Sequence, residues 1–309
     1  MARAARIRQP YTHMQRKLLC LSVPFLLFIT AFSYVPLLGW SISFFKYYPG
    51  IPFDKLEFLG LQNYRLFFSN GKQVLNVLLN TLALSGLILL TMPVPAIFAI
   101  LLNELRSNTL KKTVQTFSTI PYFISYVLLY VATLTIFSPS DGTLNVLLFE
   151  KLRLIKQPIK LLNDPDAAWC FQTLMYLFKN TGYNAILYIS AIASIDPQLF
   201  DAAAVDGANR FQRIVHVIVP GILPTFVVLL VLGLGGILSG GGFEQYYVFG
   251  NAMVLDKLDV LDTYTYRMGM VQGNYSFGTA ISMLKSVVSV LLLITANGLV
   301  KRIRGSSLF

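Results

Sequence analysis

Two lysines, Lys179 and Lys285, and one carboxylate, Glu244, stand within or at the ends of long apolar runs of this 309-residue chain. Ionisable groups in such runs cost free energy and mark pathways for polar solutes or ions. Polar and aromatic side chains recur in the same runs: Tyr34, Asn80, Tyr122, Tyr126, Asn180, Tyr183, Asn184 and Gln245. Aromatic rings stack on the C–H faces of a sugar, while amides and carboxylates exchange hydrogen bonds with its hydroxyls, so these residues form a candidate translocation path for a polyhydroxylated solute. A structural alternative stays open for each of them. Tyr34 and Tyr122 suit an interfacial aromatic belt, and Asn80 and Asn184 suit hydrogen bonds between neighbouring helices.

Other chemistries lack their residues. There is no Gly-x4-Gly-Lys-Ser/Thr stretch to cradle phosphate, because Gly71-Lys72 has neither the earlier glycine nor the following hydroxyl. His13 and His216 each stand without a Cys or His partner at metal-ligand spacing, so no metal is expected. No Gly-x-Ser-x-Gly elbow occurs. The chain reads as a non-enzyme, and Cys20 and Cys170, in or at apolar segments, read as two free buried thiols. A proton-coupled carrier would want a carboxylate or histidine deep in the membrane, and the apolar runs offer none.

The elements that must position these residues are membrane spans. Of the residues, 55% are hydrophobic and 13% charged, about half the charged share of an ordinary soluble domain, and the mean hydropathy is +0.62. Runs long enough to cross a hydrocarbon layer of about 30 Å fall near 18–45, 74–103, 112–138, 169–195, 222–243 and 277–300. The spacing predicts an all-α integral membrane protein of about six helices, with a basic tail at 1–17, one membrane domain at 18–300 and a short tail at 301–309. Gly233, Gly235, Gly236 and Gly240 to Gly242 are expected to loosen the end of the fifth span, since irregular backbone in lipid must pack in protein or line a cavity.

Charge gives the orientation. Thirteen Lys/Arg fall on one side: Arg3, Arg6, Arg8, Arg16, Lys17, Arg106, Lys111, Lys112, Arg210, Arg213, Lys301, Arg302 and Arg304. The ten on the other side are spread over longer loops and matched by ten carboxylates. Both termini are therefore expected in the cytoplasm, and the net charge of +11 suits anionic membrane lipid rather than nucleic acid. The outward loops, including the basic strip Lys151, Arg153, Lys156 and Lys160, are long enough to receive a docking protein.

One cytoplasmic loop, 196–224, is polar between two apolar runs. Asp196 can cap a helix, Pro197 suits its first position and Gly207 its left-handed stop. Ala202, Ala203 and Ala204 leave a surface that a partner can approach closely, with Phe200 and Val205 as apolar anchors. A second helical piece is expected over 208–219, ended by Pro220.

Here the sequence resembles the membrane subunits of ATP-binding-cassette importers. Their cytoplasmic signature has three residues between Glu-Ala-Ala and Gly, and nine more between that Gly and Ile-x-Leu-Pro. Asp201-Ala202-Ala203, Gly207 and Val217-Ile218-Val219-Pro220 keep that spacing, with Asp201, Val217 and Val219 as conservative departures. The resemblance extends along the chain to carbohydrate importers of the oligosaccharide branch that includes the alginate importer. It is carried by Tyr34-Val35-Pro36, Gly60-Leu61-Gln62-Asn63-Tyr64, Pro121-Tyr122-Phe123-Ile124-Ser125, Phe243-Glu244-Gln245, Asp262-Thr263-Tyr264 and Gly305-Ser306-Ser307-Leu308-Phe309.

The resemblance implies the type I importer architecture in the bacterial cytoplasmic (inner) membrane. It implies a second, similar permease subunit, two ATPase subunits that hold the ATP and Mg, and an extracytoplasmic solute-binding protein; this chain binds no cofactor itself. Asp201, Ala202, Ala203, Asp206, Gly207 and Pro220 then belong to the coupling helix and its loop, which seat in an ATPase subunit. Acidic oligosaccharides, such as alginate fragments, follow if Lys179 or Lys285 faces the path. The alternative is a self-contained secondary carrier or channel for a polar solute, which would need no ATPase.

Overall fold

The computed structural model describes residues 13–155 and 157–304. Arg3, Arg6, Arg8, Lys156 and the 305–309 tail lie outside the described residues. Helix α1 (His13–Ile29) continues through a wide π-helical stretch (Thr30–Tyr34) and a tight 3-10 stretch (Val35–Phe44). A two-stranded antiparallel ribbon, β1 (Phe45–Lys46) with β2 (Glu57–Phe58), is a small exception to the all-helical expectation. Then come α2 (Gln62–Ser69), α3 (Gly71–Leu90), α4 (Pro93–Asn103), α5 (Asn108–Phe123), α6 (Tyr126–Phe137) and the single turn α7 (Thr143–Asn145). The remainder is α8 (Ala168–Ala193), α9 (Pro197–Val205), α10 (Arg210–Arg213), α11 (Val219–Gly235), α12 (Phe243–Phe249), α13 (Leu255–Leu258), α14 (Leu261–Tyr266) and α15 (Tyr275–Arg304).

Four helical stretches among the described residues are long and apolar enough to cross a membrane: Lys17–Phe44, Gly71–Asn103, Arg210–Gly235 and Tyr275–Arg302. The expected third span is broken. Helices α5 and α6 meet at 101°, with Pro121 in the last turn of α5 and Ser125 capping α6 through the Leu128 amide at 3.3 Å. The expected fourth span is α8, continuous over 26 residues and about 39 Å long at 1.5 Å per residue. Its Gln172, Lys179, Asn180 and Asn184 lower its hydropathy below that of the other four.

The fifth span begins earlier and ends sooner than its apolar pattern suggests. Pro220 does not end a separate helix; the chain stays helical from Arg210 to Gly235, and Pro220 occupies the first turn of α11. A π-helical stretch at Ile214–Ile218, closed by the Val219 amide on the Ile214 carbonyl, widens the helix just before the ring and gives room to a residue that can donate no hydrogen bond of its own. At the other end α11 stops at Gly235, and Gly240, Gly241 and Gly242 take φ of 62°, 93° and 130°, conformations that cost other residues dearly. The freed Ile237 carbonyl accepts the Ser85 hydroxyl at 2.5 Å, the internal satisfaction that lipid demands.

Helix α8 is central. It packs against α3, α4, α5 and α11, and at Gly182 a Cβ would strike the Ser118 backbone, so only glycine lets α5 lie so close. Small residues bring helices together where lipid gives no hydrophobic drive. Around α8 and the α9 end, Ala96, Ala99, Ile100, Tyr188, Ile192, Ile218 and Ile222 form one core. Toward the opposite end, Phe171, Tyr246, Phe249, Val254 and Leu258 form another. There the segments between helices are pinned rather than loose: Trp169 donates to the Lys257 carbonyl at 2.8 Å, and the Asn145 amide donates to the Ser138 and Ile159 carbonyls at 2.9 Å each. The first span differs: none of its apolar window is buried, and its 3-10 end packs on α2 and α15.

Candidate functional site

Helix α9 stands between α8 and the α10–α11 run. The Asp196 carboxylate accepts the Gln198 amide at 2.9 Å, and Pro197 takes the first position. The far end closes with Gly207 at φ 70°, its amide on the Ala204 carbonyl at 3.1 Å and the Ala208 amide on the Ala203 carbonyl at 2.9 Å. These two bonds are the Schellman pattern that a left-handed glycine permits. Asn209 and Gln212 then exchange the reciprocal bonds of a capping box at 2.9 and 2.8 Å, starting the next helix at once.

The surface of α9 is a shallow hollow lined by Leu199, Ala202, Ala203, Asp206, Gly207 and His216, among others. Beside it Val205 is 89% and Phe211 73% exposed. Phe200 is a correction: it turns inward and packs on the core around Tyr188. Leu199, Val205 and Phe211 are therefore the apolar side chains free for a partner. Leu199 and Phe211 escaped the sequence reading, because each sits beside a polar residue and neither breaks the local pattern.

Within the bundle, a cavity of about 290 Å³ lies among α3, α4, α8, α11 and the glycine break. Asn180 and Asn184 line it, with Tyr176, Ser85, Thr91 and Ser239. The Asn180 amide also donates to the Tyr176 carbonyl at 2.9 Å. Tyr176, Asn180 and Asn184 recur every four residues, the one-face spacing of a helix; that periodicity could have found Tyr176, which the sequence reading missed. Tyr183 lies against Tyr122 of α5, their rings stacked with centroids 3.8 Å apart and planes within 4°.

The remaining expected path residues lie elsewhere. Tyr34 is exposed on the first span. Asn80 is buried, donating to the Asp256 and Asp259 carbonyls at 2.7 and 3.1 Å, which takes up the structural alternative. Gln245 is fully buried, with its amide on the carbonyl and the side-chain oxygen of Gln172 at 2.8 and 2.7 Å. Glu244 is exposed in the first turn of α12 and acts on Lys179 through its charge.

Both lysines are corrections of a different kind. Lys179 is buried, and its ammonium donates to the Tyr122 carbonyl at 2.8 Å and to the Ile124 carbonyl, with the Tyr126 ring centroid at 4.8 Å. It caps the carbonyls that the α5–α6 break leaves without helical partners. Lys285 pairs with Asp262 at 2.5 Å, and Arg267 pairs with Asp259 at 2.5 Å. Each of these three cations is already satisfied inside the chain.

Long apolar helices packed around a cavity with polar groups in its largely apolar wall, with a capped helix standing outside them, fit a membrane transport subunit. The chain belongs to the family of binding-protein-dependent transport system inner membrane components, whose model matches residues 91–305. Among its relatives, Protein LplB of Bacillus subtilis is 37% identical over 94% of this chain and 90% of its own length. The polygalacturonan/rhamnogalacturonan transport system permease protein YteP of the same organism is 34% identical over 93% of this chain and 88% of its own. A bacterial alginate ABC transporter in complex with an alginate pentasaccharide-bound periplasmic protein contains a chain that superposes with a TM-score of 0.84. It is 31% identical, over 96% of this chain and 97% of that one. The type I importer fold and the role of transport permease follow from this membership.

Proposed function

We propose that this chain is one of two membrane subunits of an ATP-driven, binding-protein-dependent importer of oligosaccharides in a bacterial cytoplasmic membrane. The observation that carries the proposal is α9: a helix capped at both ends, small-surfaced at Ala202 and Ala203, and bordered by exposed Val205 and Phe211. It is the coupling helix, seated in a groove of a separate ATPase subunit, with both chain termini on that cytoplasmic side. A solute-binding protein delivers the sugar to the opposite face, and a second permease completes the path. Because α9 is joined directly to α8 and to α10–α11, its displacement on ATP binding moves the helices that line the cavity, as alternating access requires.

Asn180 and Asn184 offer a sugar both donors and acceptors at the cavity, and the Tyr122–Tyr183 stack, outside the cavity lining, offers an aromatic surface where α5 meets α8. The relatives named for polygalacturonan, rhamnogalacturonan and alginate support an oligosaccharide. Those names also support acidic oligomers as a second reading, although Lys179 and Lys285 do not offer a free counter-charge for them. The test is a screen of neutral and acidic oligosaccharides for stimulation of ATP hydrolysis by the reconstituted four-subunit complex with its binding protein. Stimulation by one sugar class supports the proposal; sugar uptake by this chain alone, without ATPase, would instead establish a self-contained carrier.

A further inference from the structure

The ribbon of β1 and β2 begins where the first span ends. At about 1.5 Å per residue in its wider part and about 2.0 Å in its 3-10 part, Lys17–Phe44 is roughly 45 Å long. It therefore crosses a hydrocarbon layer of about 30 Å and carries the ribbon into the headgroup layer beyond. The span Gly71–Asn103 starts beside α2 and delivers Ala96, Ala99 and Ile100 to the core at the α9 end, so ribbon and α2 stand at the end away from α9. They form a fixed corner. The Leu59 and Gly60 amides both donate to the Phe44 carbonyl at 2.8 and 3.1 Å, and the buried Asn63 amide donates to the Ser43 carbonyl at 2.8 Å.

The corner encloses a hollow of about 570 Å³, the size of a small-ligand pocket. Lys46, Glu57, Gln62, Arg65 and Leu66 line it. Lys46 and Glu57 are register partners on the ribbon, which sets their side chains on one face. Among the described residues, no ion pair within 4.0 Å involves Lys46, Glu57 or Arg65, in contrast to the paired cations Arg267 and Lys285 inside the bundle. Two cations and one carboxylate thus border the same empty space. The short segment that carries them is greasy on its other sides: Phe58, Leu61, Leu66 and Phe68 are between 44% and 69% exposed. Below it, Val35, Leu37 and Leu38 of the first span are exposed as well.

This charge pattern complements a headgroup that carries one phosphate and one primary ammonium. The phosphate suits Lys46 and Arg65, and the ammonium, with three hydrogens to donate, suits the Glu57 carboxylate and the Gln62 side-chain oxygen. A headgroup lacking the amine would set a negative group beside Glu57, and a quaternary ammonium would bring no hydrogen to donate. The exposed apolar border, continuous with the bare first span, offers a place for acyl chains and favours a lipid over a protein partner. We infer that this corner is a binding site for phosphatidylethanolamine in the membrane leaflet away from α9.

Native mass spectrometry of the complete detergent-purified transporter tests the site, with dioleoyl phosphatidylethanolamine, phosphatidylglycerol and phosphatidylcholine added singly. Wild type should retain the ethanolamine lipid at least threefold better than either of the others. The double variant Lys46→Gln/Arg65→Gln should cut that retention at least threefold, and Glu57→Gln should erase the preference over phosphatidylglycerol. Glycerophosphoethanolamine, the same headgroup without acyl chains, should compete poorly. Equal retention of the three lipids, retention unchanged in the double variant, or competition by the chain-free headgroup as effective as by the lipid would overturn the assignment. So would a double variant that keeps its lipid and loses only the ATP hydrolysis stimulated by loaded binding protein, because the corner would then meet a protein. Each variant should still hold its ATPase subunits, which establishes that it has folded and assembled.

Discussion

At the scale of single residues, Lys179 shows how a charge can be visible in a sequence while its use is not. A lysine in an apolar run announces that something must satisfy it, but its partners, the Tyr122 and Ile124 carbonyls, lie more than fifty residues away and carry no side-chain signal. Lys285 conceals its partner in the same way, since Asp262 sits in a segment that reads as an outward loop. Lys179→Met removes the donor and leaves buried carbonyls unpaired, at a cost of about 1–3 kcal/mol. It should therefore lower the thermal unfolding midpoint of the detergent-purified protein, and it should slow uptake of neutral and acidic sugars alike. A variant that lost acidic-sugar uptake selectively, with its midpoint intact, would show that the ammonium meets the solute after all. Tyr122→Ala and Tyr183→Ala each dismantle the stacked face, an arrangement worth about 0.5–1.5 kcal/mol beyond buried area. Each should reduce the initial rate of sugar uptake more than it reduces nucleotide binding by the assembled complex.

At the scale of elements, the local grammar of α9 was fully legible because caps are local. Asp196, Pro197 and Gly207 act within a few bonds of where they stand, and the structure places each in the expected role. Breaks were harder to read. The 101° bend between α5 and α6 depends on a lysine from α8, and helical continuity through Pro220 depends on a π-widened turn; neither follows from periodicity. Asp196→Ala should cost about 1 kcal/mol of local stability, seen as faster hydrogen exchange at the α9 amides with global unfolding unchanged. Gly182→Val should be far more damaging. Its side chain would enter the Ser118 backbone and force α5 off α8, so folded protein recovered from membranes should fall sharply, while Gly86→Ala, with nothing near its Cβ, should leave the yield unchanged.

At the scale of the whole molecule, the sequence carried the membrane architecture because hydropathy is a sum over many residues, robust to any one of them. The same averaging weakened the signal of α8 without hiding it: polar cavity-lining residues dilute the apolar run of a 26-residue helix that the sequence still places at 169–195. It also gave no hint that the first span would lie unburied along its apolar length. The account's central claim is that α9 receives the work of a separate ATPase, and co-purification measures this most directly. Affinity-tagged permease complex should retain its ATPase subunits in the wild type and lose most of them in Ala203→Glu and Gly207→Asp, with the permease still folded and inserted. ATPase held at wild-type stoichiometry by both variants would contradict the claim.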